Sequence, residues 1–160
     1  MKPLVVFAVL LAVSEAAFFW GSCPNPTVVQ SIDLEKFEGQ WYEMARTTSV
    51  PYSTTNDCNS AHYTLNDDTI DVENCTYEAD KGIYRCVNGN AYCTNGSGDC
   101  HVRFSKWAPY GNYTILDINY PSYLAVWSCT NFYIFNLQYS WLLARDTDFE
   151  ALPTVEIITS

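Results

Sequence analysis

The sequence predicts an all-β domain of eight antiparallel strands joined as a meander. Runs rich in Tyr, Thr, Val, Ile and Trp recur along the chain, and Gly, Asn, Asp or Pro breaks them every eight to twelve residues. The breaks are themselves hairpin material. No heptad pattern, internal repeat or low-complexity linker competes with this reading.

Taken in order, the strands fall at 40–48, 58–66, 69–77, 82–93, 100–106, 112–118, 122–129 and 137–144. A polar loop, about Ser49 to Asp57, separates the first two. Asn66-Asp67-Asp68, Ala79-Asp80-Lys81-Gly82 and the run Thr94 to Asp99 form tight turns between the next strands. Asn119-Tyr120-Pro121-Ser122 is a further turn, where proline bars ladder pairing. A long meander tends to close, because closure removes edge strands, and eight strands enclose room for one small ligand. A flat sandwich would show the same periodicity, so alternation alone leaves both open.

The ends set the compartment. Lys2, the apolar run Leu4 to Val13 and Ser14-Glu15-Ala16 read as a cleaved export signal over residues 1–16. The run is about ten residues, too short to span a bilayer, which needs about 20. Removing 16 of 160 residues leaves 144, which suits one domain over 17–160. Seven cysteines in that part read as disulfides, and sequons at Asn74, Asn95 and Asn112 read as glycosylation sites. The formal charge of −10, with no basic run, excludes nucleic acid as a partner.

Three separated segments narrow the fold. They are Phe37-Glu38-Gly39-Gln40-Trp41-Tyr42-Glu43, the stretch Leu116 to Cys129 with Tyr123-Leu124-Ala125-Val126-Trp127-Ser128-Cys129, and Trp141-Leu142-Leu143-Ala144-Arg145. With Gly21-Ser22-Cys23-Pro24-Asn25-Pro26, they resemble the lipocalins, above all the apolipoprotein D and insect bilin-binding (insecticyanin-like) group. The resemblance runs from about residue 21 to 146. It implies a closed eight-stranded up-and-down barrel, a lipocalin calyx, over about 39–145. The family's Thr-Asp-Tyr turn is Ile118-Asn119-Tyr120 here. The short tail 146–160 stands where the family carries a long helix, and an apolar side left uncovered would favour a homo-oligomer.

The resemblance also implies that Gly39, Trp41 and Arg145 close the floor, the guanidinium lying over the indole. If Trp41 points inward, strict alternation sends Glu43, Ala45 and Thr47 inward as well. Cys23 is expected to bridge to Cys129, and the family's partner for Cys58 is missing. Cys75 with Cys86, and Cys93 with Cys100, each flank one hairpin and read as local bridges, leaving Cys58 unpaired.

The function implied is extracellular binding and transport or storage of a small hydrophobic molecule: a fatty acid, sterol, retinoid, carotenoid or bilin. Glu43, Tyr63, Tyr84, Val102, Phe104, Leu124, Val126, Trp141 and Leu143 are expected to line the cavity, Tyr63 and Trp141 at the family's pocket positions. No cofactor is required, although a bilin or carotenoid chromophore fits the resemblance. No catalytic residue is expected. The enzymatic alternative, a lipocalin of the prostaglandin D synthase kind, would use Cys58, whose strand parity with His62 instead points it outward. His62 and His101 lie on different strands and are too few for a zinc triad, so no metal site is expected. A third alternative is an interaction module whose barrel its own side chains fill.

Overall fold

The structure, a computed structural model, describes residues 18–47 and 56–148. It contains β1 (Phe18–Trp20), α1 (Leu34–Phe37), β2 (Gly39–Arg46), β3 (Asn56–Asn66), β4 (Thr69–Glu78), β5 (Ile83–Cys93), β6 (Asp99–Arg103), β7 (Gly111–Asn119), β8 (Tyr123–Asn131) and β9 (Phe135–Ala144). From β2 onward every strand pairs antiparallel with the next. Because β9 pairs with both β8 and β2, the sheet closes into an eight-stranded barrel rather than a sandwich. Expected and observed strands correspond throughout. The largest shortfall is β6, which ends at Arg103 instead of 106, where Ser105 opens a turn.

One strand was not expected. β1 lies outside the closed ring and extends along β9, with Phe18 opposite Leu137 and Trp20 opposite Phe135. It occupies the stretch of β9 beyond the last β2 pairing, covering backbone groups that would otherwise form an open edge. The expected leader 1–16, most of the loop Ser49–Asp57 and the tail beyond Asp148 lie outside the described residues. No described helix is long and apolar enough to cross a membrane.

Register decides which side chains face the interior. Trp41 pairs with Ala61, Ala61 with Asn74, Asn74 with Val87, and Ile115 with Val126, which pairs in turn with Trp141. Strict alternation fails at bulges in β2, β3 and β7. A bulge between Glu43 and Ala45 inserts one residue, so Arg46, not Ala45, comes opposite inward Trp141. Ala45 is exposed on the outer wall. Thr47 likewise leaves the interior, pairing with Ser140 through its backbone at 3.0 Å and its Oγ1 at 3.3 Å.

The N-terminal segment then plugs one end. Val29 donates to Ile115 O at 3.1 Å and accepts from Gly98 N at 2.6 Å. Gly98 is required there, because a Cβ would lie 2.5 Å from Ile115 O. Asp33 caps α1 by accepting from Lys36 N at 3.2 Å. That short helix sets Phe37, 3% exposed, beneath the barrel with its ring stacked 4.8 Å from Tyr63.

Cys23–Cys129, Cys75–Cys86 and Cys93–Cys100 are bonded, and Cys58 is free and exposed. The two hairpin bridges differ in placement. Cys75–Cys86 lies on the outer face, whereas Cys93–Cys100 faces inward, with Cys100 part of the core.

Candidate functional site

Arg145 organises the closed end. Its guanidinium lies 3.7 Å from the Trp41 ring centre. Nε donates to Tyr120 O at 3.0 Å, Nη1 to Gln40 O at 3.0 Å, and Nη2 to Lys36 O at 2.7 Å. Trp41 Nε1 donates to Phe37 O at 3.0 Å, and the Tyr120 hydroxyl accepts from Asp33 N at 2.7 Å. Helix α1, the start of β2, the β7–β8 turn and the end of β9 are therefore tied to one side chain. Gly39, at φ +97°, gives it room: a Cβ there would sit 3.2 Å from Nη1.

From that floor, the inward positions open progressively to solvent. Along β5 the series runs from buried Ala91, through half-buried Gly89, to Val87 at 48% exposed. On β8, Leu124 and Val126 are buried, Ser128 is half-buried and Thr130 is exposed. Leu143, Trp141 and Tyr139 repeat the trend on β9, as do Cys100, Val102 and Phe104 at β6. A sealed apolar base and an open mouth follow from this gradient.

Most expected lining residues share this interior. Leu124, Val126 and Leu143 form its packed base, while Val102 and Trp141 stand half-buried above it. Tyr63 lies deep among them, its hydroxyl 2.7 Å from that of Tyr113. Burial pushes the Tyr63 phenol up to about 12, a rise the Tyr113 hydrogen bond only partly offsets. Phe104 sits at the mouth, with its ring over Gly89.

Tyr84 is a correction. It pairs with Tyr77 on the outer face, the rings 5.1 Å apart, and is 67% exposed. The residue on either side of it, Ile83 and Arg85, has the inward parity instead. Asn74 is a second correction: it lies on the inner face opposite Ala61 and Val87, where a glycan would have to fill the barrel. Asn95 is exposed in the β5–β6 turn, and Asn112 is exposed, although its Nδ2 donates to Cys129 O at 3.2 Å.

Glu43 faces the interior as alternation has it, but the polar group around it was missed by sequence reasoning. Glu43 is ion-paired to Arg46, both largely buried, and accepts from Asn59 Nδ2 at 3.2 Å. Asn74 and Thr76 continue this polar wall across β4. The alternation Ile70, Val72, Asn74, Thr76 carries that signal, beside the sequon reading of Asn74. Arg46 was hidden by the bulge.

The outer wall holds the histidines. His62 lies 3.3 Å from Gln40 Oε1, and His101 stacks on Tyr92 at 5.1 Å. His62, Thr64, Asp71, Glu73 and Asn88 line an open depression of about 380 Å³ there. Those five side chains have the outward parity, so the depression, to whose lining Val72 and Gly89 also contribute, opens on the outer wall.

A family model described as a lipocalin-like domain matches residues 32–157. Apolipoprotein D of Cavia porcellus is 33% identical over 149 residues, covering 89% of this chain and 77% of that protein. The Lazarillo protein of Schistocerca americana is 30% identical, covering 86% and 66%. Insecticyanin from the tobacco hornworm Manduca sexta superposes with a TM-score of 0.75 at 20% identity, covering 90% of this chain and 79% of that one. Lobster apocrustacyanin A1 does so with 0.65 at 19%, covering 86% and 83%. With the floor, barrel closure and open mouth in place, this chain belongs to the lipocalin-like domain family.

Proposed function

We propose that the protein binds a small hydrophobic molecule in the barrel interior and transports or stores it outside the cell. The burial gradient from sealed base to solvent-reached mouth carries this reading, since it gives an apolar ligand an entrance and a dry end. Burying about 300 Å² of ligand surface is worth a gross ~7 kcal/mol at ~25 cal/mol/Å². Association costs remove part of that, so apolar burial of this size alone gives binding weaker than about 10 μM, and a larger contact or a polar bond is needed for tighter binding. Val102, Val126, Trp141 and Leu143 supply the apolar contact, with Tyr63 at the base and Phe104 at the entrance. The pairing of aromatic walls with a likeness to insecticyanin and apocrustacyanin also supports a bilin or carotenoid as one candidate ligand.

No catalytic role is assigned. Cys58 is exposed rather than aimed at a buried ligand, and suits an intermolecular disulfide better than nucleophilic attack. Exposed Phe18, Trp20, Phe132, Tyr133 and Ile134 cluster where β1 meets the β8–β9 turn and supply an apolar surface for self-association. Sedimentation at several concentrations tests this, and a single monomeric species throughout rejects it. The likeness to apolipoprotein D, the disulfides and the leader-like start support secretion, and Asn95 is the sequon best placed for a glycan.

Native mass spectrometry of protein purified from its source, followed by organic extraction, tests the main reading. The expected result is a mass excess that disappears on extraction and is recovered as an apolar compound. A bilin or carotenoid would also colour the preparation. Protein that carries no such compound and takes none up would reject the reading.

A further inference from the structure

The interior is apolar on most sides and polar on one. The polar wall runs across β2, β3 and β4 just above the packed base, through Glu43, Arg46, Asn59, Asn74 and Thr76. The bonds that Glu43 accepts from Arg46 and Asn59 both fall on Oε1, leaving Oε2 as a second acceptor. Among the described residues, Asn74 Oδ1 and Thr76 Oγ1 are the buried side-chain oxygens without a hydrogen-bond partner. They are neighbours on the inner face of β4, one step above buried Val72.

Burying a polar atom without a partner is costly, and native proteins rarely keep such atoms unless another group satisfies them. Two on one face of an otherwise apolar interior mark a place where a bound molecule completes the bonding. Asn74 Oδ1 and Glu43 Oε2 can only accept, whereas the Thr76 hydroxyl can accept or donate. A fatty-acid carboxylate could accept from the Thr76 hydroxyl but would leave Asn74 Oδ1 unpaired, and a pure hydrocarbon would bring no donor.

Resting on the carrier reading above, we infer that the ligand is an apolar molecule bearing a hydroxyl or N–H donor, and that Asn74 and Thr76, with Glu43 on the same wall across β3, read that donor. The apolar body lies against Val102, Val126 and Trp141, and the donor faces β4. Selectivity against a capped analogue then comes from the orphaned oxygens. A site built to bond an O–H or N–H rejects a molecule lacking it far more strongly than an apolar pocket rejects a size change.

Two matched pairs test this with the whole secreted chain: retinol against retinyl methyl ether, and hexadecanol against hexadecyl methyl ether. Binding is read by ligand fluorescence for the retinoids and by displacement of bound retinol for the alkyl pair. The wild type is expected to bind each alcohol about tenfold or more tighter than its ether. The apolar replacements Asn74→Leu and Thr76→Val should bring the alcohols down to the ethers and leave the ethers unchanged. Their Tm should not fall, because each removes a buried unsatisfied oxygen. Equal affinity for alcohol and ether in the wild type would overturn the donor assignment while leaving the carrier reading intact. Equal loss of both partners in the variants would overturn it too, by making the role one of packing. If neither pair saturates the protein, the carrier reading itself fails and the inference falls with it.

Discussion

Replacing Arg145 with methionine keeps most of the side-chain volume and removes the charge and its donors. Three carbonyls, Tyr120 O, Gln40 O and Lys36 O, lose bonds of 3.0 Å or shorter, and Phe37 O loses one of 3.4 Å. The Trp41 ring loses a cation 3.7 Å from its centre, worth about 1 kcal/mol in a partly desolvated site. Arg145 is only partly buried, so water will satisfy the outermost carbonyl, Lys36 O. Counting two remaining bonds at about 1 kcal/mol each gives a total loss of about 3 kcal/mol. Arg145→Lys should recover less than half, since an ammonium can neither stack on the indole nor reach three divergent carbonyls. Urea unfolding followed by tryptophan fluorescence measures both variants. A loss below about 1 kcal/mol for methionine, or full retention by lysine, would refute the view that this fork holds the floor together.

Other perturbations bear on separate parts of the account. Gly39→Ala forces a side chain into a backbone at φ +97° and toward Arg145 Nη1, and should cost about 1–2 kcal/mol by the same unfolding assay. Bridges that close longer loops should matter more. Loss of Cys23–Cys129, separated by 106 residues, is expected to cost about 5 kcal/mol, against about 2 kcal/mol for Cys93–Cys100, separated by 7. Paired serine substitutions compared by chemical denaturation test that order. For Tyr63, the folded state holds the phenol proton up to about 12, whereas the unfolded chain releases it near the ordinary value of 10. Its contribution is complete below pH 10 and is lost as the pH rises from 10 to 12, about 2–3 kcal/mol in all. Tyr63→Phe should flatten that part of the stability curve. Glycopeptide mapping should find Asn74 unoccupied, and a glycan there would contradict its inward register.

The barrel was legible because β-rich runs and turn residues alternate without interruption, and because Trp41 and Arg145 lie at opposite ends of the strand series. Alternation could not show closure, since a sandwich has the same period. The bonds from β9 to both β2 and β8 settle that question, and β1 became visible only with them. Side-chain facing was legible for Val102, Leu124, Val126, Trp141 and Leu143, on strands that run there without a bulge. It failed for Ala45 because one inserted residue reverses every position after it. Tyr84 failed because no motif anchored the phase of β5. The polar wall escaped notice because Asn74 and Thr76 also spell a sequon, and local sequence does not say which face a sequon occupies.

The central claim is that the open half of the barrel is where an apolar molecule sits. Ser128 is half-buried on the inner face of β8, between the sealed base and the mouth, so Ser128→Trp should fill that space without disturbing the floor. Calorimetric titration with retinol should give saturable one-to-one binding to the wild type, and at least a tenfold loss in Ser128→Trp at unchanged Tm. Retinol binding equally well to both proteins would place the ligand elsewhere and contradict the account.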